Sequence, residues 1–361
     1  MKAVILVGGQ GIRLRPLTTN LPKAMVPVLN VPFLEHVFRH LRRHRVTDII
    51  LAQHHLAGPI ESYLGDGSRF GVKVTYVIED SPRGTAGAVK NVERYLDEAF
   101  LVLNGDIFTD LDITAMVELH RRREAVATIA LTPVEDPTAY GLIETDVRGK
   151  VTRFLEKPDW SEVTTNMINA GTYVLEPEVL ARIPAEREVS IERMTFPLLV
   201  ESGEPVYAYP SSGYWMDTGT PEKYLQLHRD LLGGRSARYS PPPSGGVRIG
   251  EGCDVHPSAD IRGPALVGDN CTIGPGVKLM GPVVIGERCR IGEGSVVEDS
   301  VLWWEVLLGE RVTVRSSAVA NNCRLESGSH VDGSVLGDGV NVLPGVRVES
   351  GSNVQSGAVV A

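Results

Sequence analysis

Glycines, cations and strand-end acids are the residues of this chain placed to handle an anionic ligand. An apolar run, Ala3–Leu6, leads into Val7-Gly8-Gly9-Gln10-Gly11-Ile12-Arg13-Leu14-Arg15-Pro16-Leu17-Thr18. Glycines directly after a buried strand let backbone N–H groups come close to a phosphate chain. In an open α/β sheet that carboxyl end is where ligands bind. Glycine loops also occur without a ligand, and this one is neither a Walker A loop nor a dinucleotide G-x-G-x-x-G. The charge that follows sharpens the reading: Arg13 comes two residues after Gly11, and Leu21-Pro22-Lys23 adds a second cation. A guanidinium fork and an ammonium point charge can together neutralise a triphosphate without reading its base.

Two acids stand at strand ends. Asp106 closes the run Phe100-Leu-Val-Leu-Asn-Gly-Asp106, and Asp217 lies in Gly213-Tyr-Trp-Met-Asp217-Thr-Gly219. Mg²⁺ takes one or two carboxylates and completes its octahedron with water and substrate phosphates, so two distant acids brought to one sheet edge suit it. Either acid alone can equally cap the following turn. In Phe154-Leu-Glu156-Lys157-Pro158, Glu156 can accept hydrogen bonds from sugar hydroxyls and Lys157 can pair with a sugar phosphate. An exposed Glu-Lys pair is otherwise ordinary solvated surface.

The elements that must position these residues fall into two periods. Residues 1–233 alternate short β-branched runs with amphipathic helical patterns, which predicts an α/β domain with a parallel sheet. Strands are expected at Lys2–Leu6, Asp48–Ala52, Lys73–Val77 and Phe100–Leu103, with a helix over Phe33–Arg45 opened by Pro32. Residues 234–246 are rich in Pro, Gly and Ser and read as a linker. A chain ended near Leu232 is therefore expected to keep its catalytic fold.

From 247 to 361 the period is six. Ile249, Val255, Ile261, Val267, Ile273, Leu279, Ile285, Ile291 and Val297 follow at strict spacing, and the series continues to Val354 with three five-residue steps, which end at Leu302, Val319 and Leu336. One aliphatic residue per hexad and three hexads per coil predict a parallel β-helix, of the hexapeptide left-handed type. Cys253, Cys271 and Cys289 are eighteen residues apart, one coil each, and Cys323 lies two seventeen-residue coils further on. This spacing lacks the paired C-x₂-C of a zinc site, so the four cysteines read as small apolar packing.

The run G-G-x-G-x-R-L-x-P-L-T…P-K resembles the sugar-1-phosphate nucleotidyltransferases, most of all their mannose-1-phosphate guanylyl group. The likeness spans nearly the whole chain; Ile12 stands where the family usually has Thr. It implies a Rossmann-like mixed-sheet domain followed by the β-helix. It implies nucleotide binding by Leu6, Gly8, Gly9, Gly11, Arg13, Lys23, Gly84 and Thr85, and sugar-phosphate binding by Gly141, Glu156, Lys157 and Asn169. It also implies Mg²⁺ on Asp106 and Asp217, with Arg13, Lys23 and Lys157 as the catalytic cations. Gly84-Thr85-Ala86-Gly87 is like the guanylyl group, where thymidylyl members show G-L-A-Q. GTP and mannose 1-phosphate are then the expected substrates, and GDP-mannose and pyrophosphate the products. A thymidylyl- or uridylyltransferase acting on glucose 1-phosphate stays open, as does a silent regulatory subunit that binds nucleotide sugar. The β-helix is an acyltransferase in some bifunctional relatives, but its histidines, His256 and His330, read as structural; homo-oligomerisation through it is expected instead.

Composition limits the partners. The net charge is −9 with a pI near 5.6, which speaks against nucleic acid as a partner. The apolar run at the N-terminus is too short for a signal peptide, and no segment reaches bilayer length. A cytoplasmic enzyme without membrane attachment is expected.

Overall fold

The computed structural model describes residues 1–54, 57–239 and 246–361. Residues 240–245 of the linker read from the sequence lie outside the described residues. Two compact units divide the chain: Met1–Gly9 with Leu34–Trp215, and Gln10–Phe33 with Met216–Ala361. Compactness therefore divides the chain elsewhere than at the 234–246 boundary. The segment Gln10–Phe33, which carries Arg13 and Lys23, groups with the C-terminal repeat.

The first unit is built on a nine-stranded sheet. Its strands are β1 (Lys2–Leu6), β2 (Asp48–Gln53), β3 (Lys73–Ile78), β4 (Phe100–Asn104), β5 (Ala127–Pro133), β6 (Gly141–Thr145), β7 (Val151–Glu156), β8 (Met167–Leu175) and β9 (Val206–Pro210). The order is β7-β6-β8-β4-β1-β2-β3, with β5 joined to β8 and β9. β1 runs parallel to β2 and β4, whereas β8 is antiparallel to β4, so the sheet is mixed. After β3 the chain returns to the other side of β1 to form β4. The carboxyl ends of β1 and β4 thus flank a topological switch point, where ligands of open α/β sheets bind.

The central strands are apolar on both faces because both are covered; Ala3, Val4 and Ile5 are fully buried. Helices α1 (Phe33–Arg43), α2 (Ala57–Leu64), α3 (Gly84–Asn91), α4 (Ile113–Arg122) and α5 (Phe196–Glu201) follow the strands they connect. α1 stops two residues short of its predicted end, and Arg45 takes a left-handed φ of 62°.

In the second unit α6 (Pro221–Leu232) begins with Pro at its first turn and a Thr220 side-chain cap. Beyond it lie three sheets of seven, seven and six parallel strands, a left-handed parallel β-helix. Each strand pairs with the one a coil later, eighteen residues on for Val247 and Ala265 and seventeen for Leu302 and Val319. The hexad aliphatics from Val267 to Val348 form one buried core, and Cys271, Cys289 and Cys323 sit in it as free thiols. Each of these thiols also donates to a carbonyl of the next coil, of Gly286, Trp303 and Gly337 respectively, at 2.9–3.1 Å.

Candidate active site

The switch point is built from close backbone approaches. The Gly105 N–H donates to the Leu6 carbonyl at 3.0 Å. A Cβ on Gly105 would lie 2.7 Å from that oxygen, so only glycine lets β4 turn away here and present Asp106 beside the end of β1. Gly9 has nothing within 4 Å of its Cβ direction, whereas Gly8 faces the His54 Cβ at 3.4 Å. Gly8, Gly9 and Asp106 therefore share one edge, as the sequence predicts.

At the same edge lies a residue the sequence reading missed. Glu79 follows β3, is 6% exposed, and receives the Arg83 N–H at 3.4 Å. Burial pushes its carboxyl above the ordinary value. Its neighbour Gln53, fully buried, donates to Glu61 at 2.6 Å. The signal was a charged residue directly after a strand that ends on the ligand edge, a few residues before Gly84.

Gly84 and Thr85 open α3 and pack against residues 189–192. Gly84 has φ 69°, and a Cβ there would meet the Val189 carbonyl at 2.6 Å, so this glycine serves backbone packing. The Thr85 hydroxyl donates to Glu192 at 2.7 Å and accepts from the Ile191 N–H at 2.8 Å. Only backbone groups of Thr85 are left for a nucleotide.

The residues predicted for sugar lie on β6, β7 and β8. Gly141 pairs with Glu156 across β6 and β7. A Cβ on Gly141 would come within 2.9 Å of Glu156 Oε2, so the glycine makes room for the carboxylate. Burial raises the Glu156 pKa and nearby Glu192 adds to this, while Lys157 and Arg193 oppose it. Lys157 has a left-handed φ of 53° and donates its N–H to the Tyr140 carbonyl at 2.9 Å. Asn169 is held in one orientation: its Oδ1 accepts from the Gly171 N–H at 2.9 Å and its Nδ2 donates to the Tyr173 hydroxyl at 2.7 Å. The second Nδ2 proton remains for a substrate hydroxyl. Tyr140 and Trp215 meet edge to face at 5.5 Å, and the Trp215 indole donates to the Ala170 carbonyl at 3.1 Å.

Glu192, also missed, joins these parts. It sits on a π-helical turn, Ile191–Thr195, an irregularity frequent at functional sites. Its carboxylate accepts from the hydroxyls of Thr85 at 2.7 Å, Ser190 at 2.8 Å and Tyr173 at 3.3 Å. One acid thus fixes the start of α3 and, through Tyr173, the orientation of Asn169. A polar residue inside the apolar pattern at 191–199 was the available signal.

The second unit carries Gly11, Arg13, Lys23 and Asp217. Gly11 has φ 62°, and a Cβ there would crowd Thr18 at 3.0 Å and the Lys23 Cβ at 3.2 Å. The Thr18 hydroxyl donates to the Gly11 carbonyl at 2.8 Å, closing the loop on itself. Asp217 and Arg13 converge at Gly219, where a Cβ would lie 2.8 Å from Asp217 Oδ1 and 2.9 Å from Arg13 Nη2. Lys223, in the first turn of α6, reaches Asp217 Oδ2 at 3.0 Å. This third cation was also missed, although it stands only six residues after Asp217, in the first turn of the next helix.

Comparison with known proteins fits this geometry. The nucleotidyl transferase family profile matches residues 2–233, and a second, described as the GMPPB C-terminal domain, matches 261–356. The chain is 41% identical to a mannose-1-phosphate guanyltransferase of Eremothecium gossypii over 97% of its own length and 95% of the relative's. It is 38% identical to a mannose-1-phosphate guanylyltransferase of Mycobacterium tuberculosis, covering 72% of this chain and 73% of the relative. It is also 37% identical to a UTP–glucose-1-phosphate uridylyltransferase of Synechocystis, covering 86% and 84%. Among solved structures, HddC from Yersinia pseudotuberculosis complexed with GMP-PN matches with a TM-score of 0.54 and 30% identity, over 63% of this chain and 97% of that one. The family profile and the relatives together span nearly the whole length, repeat domain included, and the chain belongs to the nucleotidyl transferase family.

Proposed function

We propose that this enzyme transfers the nucleotidyl group of GTP to mannose 1-phosphate, giving GDP-mannose and pyrophosphate. The observation that carries the choice of base is Glu79, a buried carboxylate at the ligand edge beside α3. Guanine presents two adjacent N–H donors on its Watson–Crick edge, and a carboxylate accepts both. Uracil and thymine present one N–H between two carbonyl oxygens, which a carboxylate repels. The names of the Eremothecium and Mycobacterium relatives support the same reading.

A phosphate oxygen of the sugar phosphate attacks the α-phosphorus in line and pyrophosphate leaves. That oxygen is already ionised, so no general base is needed, and catalysis reduces to positioning and charge neutralisation. Backbone N–H groups of Gly8, Gly9 and Gly11 take the triphosphate, and Arg13 and Lys23 offset charge on the departing pyrophosphate. Lys157 orients the attacking phosphate. Glu156, Asn169 and the Gly141 backbone hold the sugar hydroxyls.

We assign Asp106 and Asp217 to Mg²⁺. The donors fit: both are hard oxygens, and Lys223 reaches Oδ2 of Asp217, while Oδ1 lies at the side of Gly219. Among the described residues no three acidic, His or Cys side chains gather, and Mg²⁺ with substrate phosphates needs only one or two carboxylates. When bound, the ion supplies charge on the phosphates and fixes their geometry. We further propose a cytoplasmic homo-oligomer assembled through the β-helix; no helix among the described residues is long and apolar enough to cross a membrane.

Pyrophosphate release from a panel of NTP and sugar-1-phosphate pairs tests this, and GTP with mannose 1-phosphate should be fastest. A clear win for UTP or dTTP with glucose 1-phosphate overturns the substrate choice. No turnover with any pair, alongside nucleotide-sugar binding, favours a regulatory subunit.

A further inference from the structure

The segment Gln10–Phe33 carries both phosphate cations and has little structure of its own. It holds two single-turn 3₁₀ helices, Ile12–Leu14 and Lys23–Met25, and a hairpin of two-residue strands, Pro27–Val28 with Val31–Pro32. Single helical turns and isolated hairpins are not stable in water. The hairpin turn also places Leu29 at φ 51° and Asn30 at φ 63°. A bulky residue in that region persists only where its surroundings over-determine it.

Those surroundings are α6 and the β-helix. The Leu29 N–H donates to His228 Nε2 at 3.2 Å, and the Tyr224 hydroxyl donates to the Pro27 carbonyl at 2.7 Å. His228 Nδ1 lies 2.9 Å from the Tyr224 carbonyl, which can only accept, so the proton sits on Nδ1 and Nε2 is free to accept. From the β-helix, the buried Trp303 indole donates to the Tyr224 hydroxyl at 2.9 Å, and the Ile285 carbonyl accepts from Asn30 Nδ2 at 2.7 Å. Asn20 Nδ2 donates to Asp338 at 3.2 Å, and Gly337 leaves room for Pro16, whose Cβ is 3.0 Å from where a Gly337 Cβ would be. A two-pronged pair, Arg229 with Asp299 at 2.7 Å for each bond, ties α6 to the same coils. Both flanks of Lys23 are therefore anchored.

We propose that α6 and the β-helix form the platform that holds the Arg13–Lys23 segment in its phosphate-binding shape, with Tyr224, Trp303 and Asn30 as positioning residues. The repeat domain is then part of the catalytic apparatus as well as a surface for assembly. This rests on the reading of Arg13 and Lys23 as triphosphate ligands. None of the three residues needs to touch substrate; each acts through the backbone at 27–30.

Asn30→Gly tests the tie most cleanly, because glycine tolerates the left-handed backbone while the bond to Ile285 is lost. Tyr224→Phe removes both the bond to Pro27 and the acceptor of Trp303. In the full-length chain carrying both changes, the KM for GTP should rise about tenfold or more, since small misplacements of positioning groups act at that scale. The KM for mannose 1-phosphate should stay within about a factor of two, and native trypsin should cut after Lys23 faster than in the parent chain. Equal rises in both KM values would show general loosening and overturn the proposal, and so would an unaltered GTP KM. If the double variant does not fold, Asn30→Gly alone is read the same way with a smaller shift. Should the parent chain turn over no GTP, the functional reading fails separately, and an unchanged cleavage rate after Lys23 still overturns the platform.

Discussion

Glycines at the ligand edge of the sheet and glycines at three turns of the last β-helix coils serve opposite purposes. At the edge, Gly105, Gly141 and Gly171 stand where a side chain would strike a backbone or a site group: the Leu6 carbonyl, the Glu156 carboxylate and Ile107 at 2.4 Å. At those turns Gly339, Gly345 and Gly357 have positive φ but nothing within 4 Å of a Cβ, so they serve turn conformation alone, while Gly268, Gly286 and Gly309 elsewhere in the coils lie against the backbone of the next coil. Function in the sheet unit resides in departures from the pattern. In the β-helix it resides in the regularity, which stacks Ile285, Trp303 and Asp338 where they can hold a segment that lacks its own structure.

Asp106 and Asp217, the acids proposed to hold Mg²⁺, should give the largest effect. Asp217→Asn keeps shape but removes a full charge facing Arg13 and Lys223, and turnover should fall by about 10²–10³-fold, the usual loss for one well-placed electrostatic group. Asp106→Asn should act alike, and on the proposed sharing of one ion the double variant should fall well short of the product. Near-normal turnover of Asp106→Asn at saturating Mg²⁺ would return that acid to a simple strand-end role.

Glu192→Gln should follow. An amide N–H₂ set among the donors Thr85, Ser190 and Tyr173 breaks at least one of three bonds, and kcat/KM should fall roughly tenfold. The KM values for both substrates should move, because Glu192 touches groups on both sides; a change confined to stability would make it structural only.

The contrast between the glycines is itself testable by calorimetry. Gly171→Ala adds a collision to a left-handed backbone and should cost more than about 2 kcal/mol. Gly357→Ala adds only backbone strain and should cost about 1–2 kcal/mol. Equal losses would remove the distinction drawn between the two regions.

Glu79 gives the smallest shift in stability and a separate one in specificity. Burial raises its folded pKa above 4.5, so its contribution to stability is full below the unfolded value and is lost as pH rises through the folded one. Glu79→Gln should therefore match the parent in Tm near pH 4 and exceed it increasingly toward neutral pH. The same variant should lose preference for GTP over UTP, read as the ratio of kcat/KM values. An unchanged ratio would mean that another group selects the base.

Much of this was legible in the amino-acid order. The hexad series needed only one aliphatic residue per six to specify coils, because each strand pairs with its own repeat and register follows from the count. Lys2–Leu6 was legible because central parallel strands are apolar on both faces. Gly8, Gly9 and Asp106 were legible because a strand and the residues that end it are local in sequence, and the switch point follows from strand order. Gly84 and Thr85 were not: their surroundings come from residues 187–192, and their roles in packing against that stretch depend on contacts about a hundred positions away.

What the sequence determined, then, is everything set by short-range pattern: the strands, the repeat, the glycine loop and the charges on it. Tertiary structure alone decided which groups share an environment. It gathered Thr85, Tyr173 and Ser190 around Glu192, and it grouped residues 10–33 with a repeat that begins more than two hundred positions later. The physical reason is that a hydrogen bond or a buried charge is specified by distance in space, and a linear order constrains that distance only after the chain has closed its long loops.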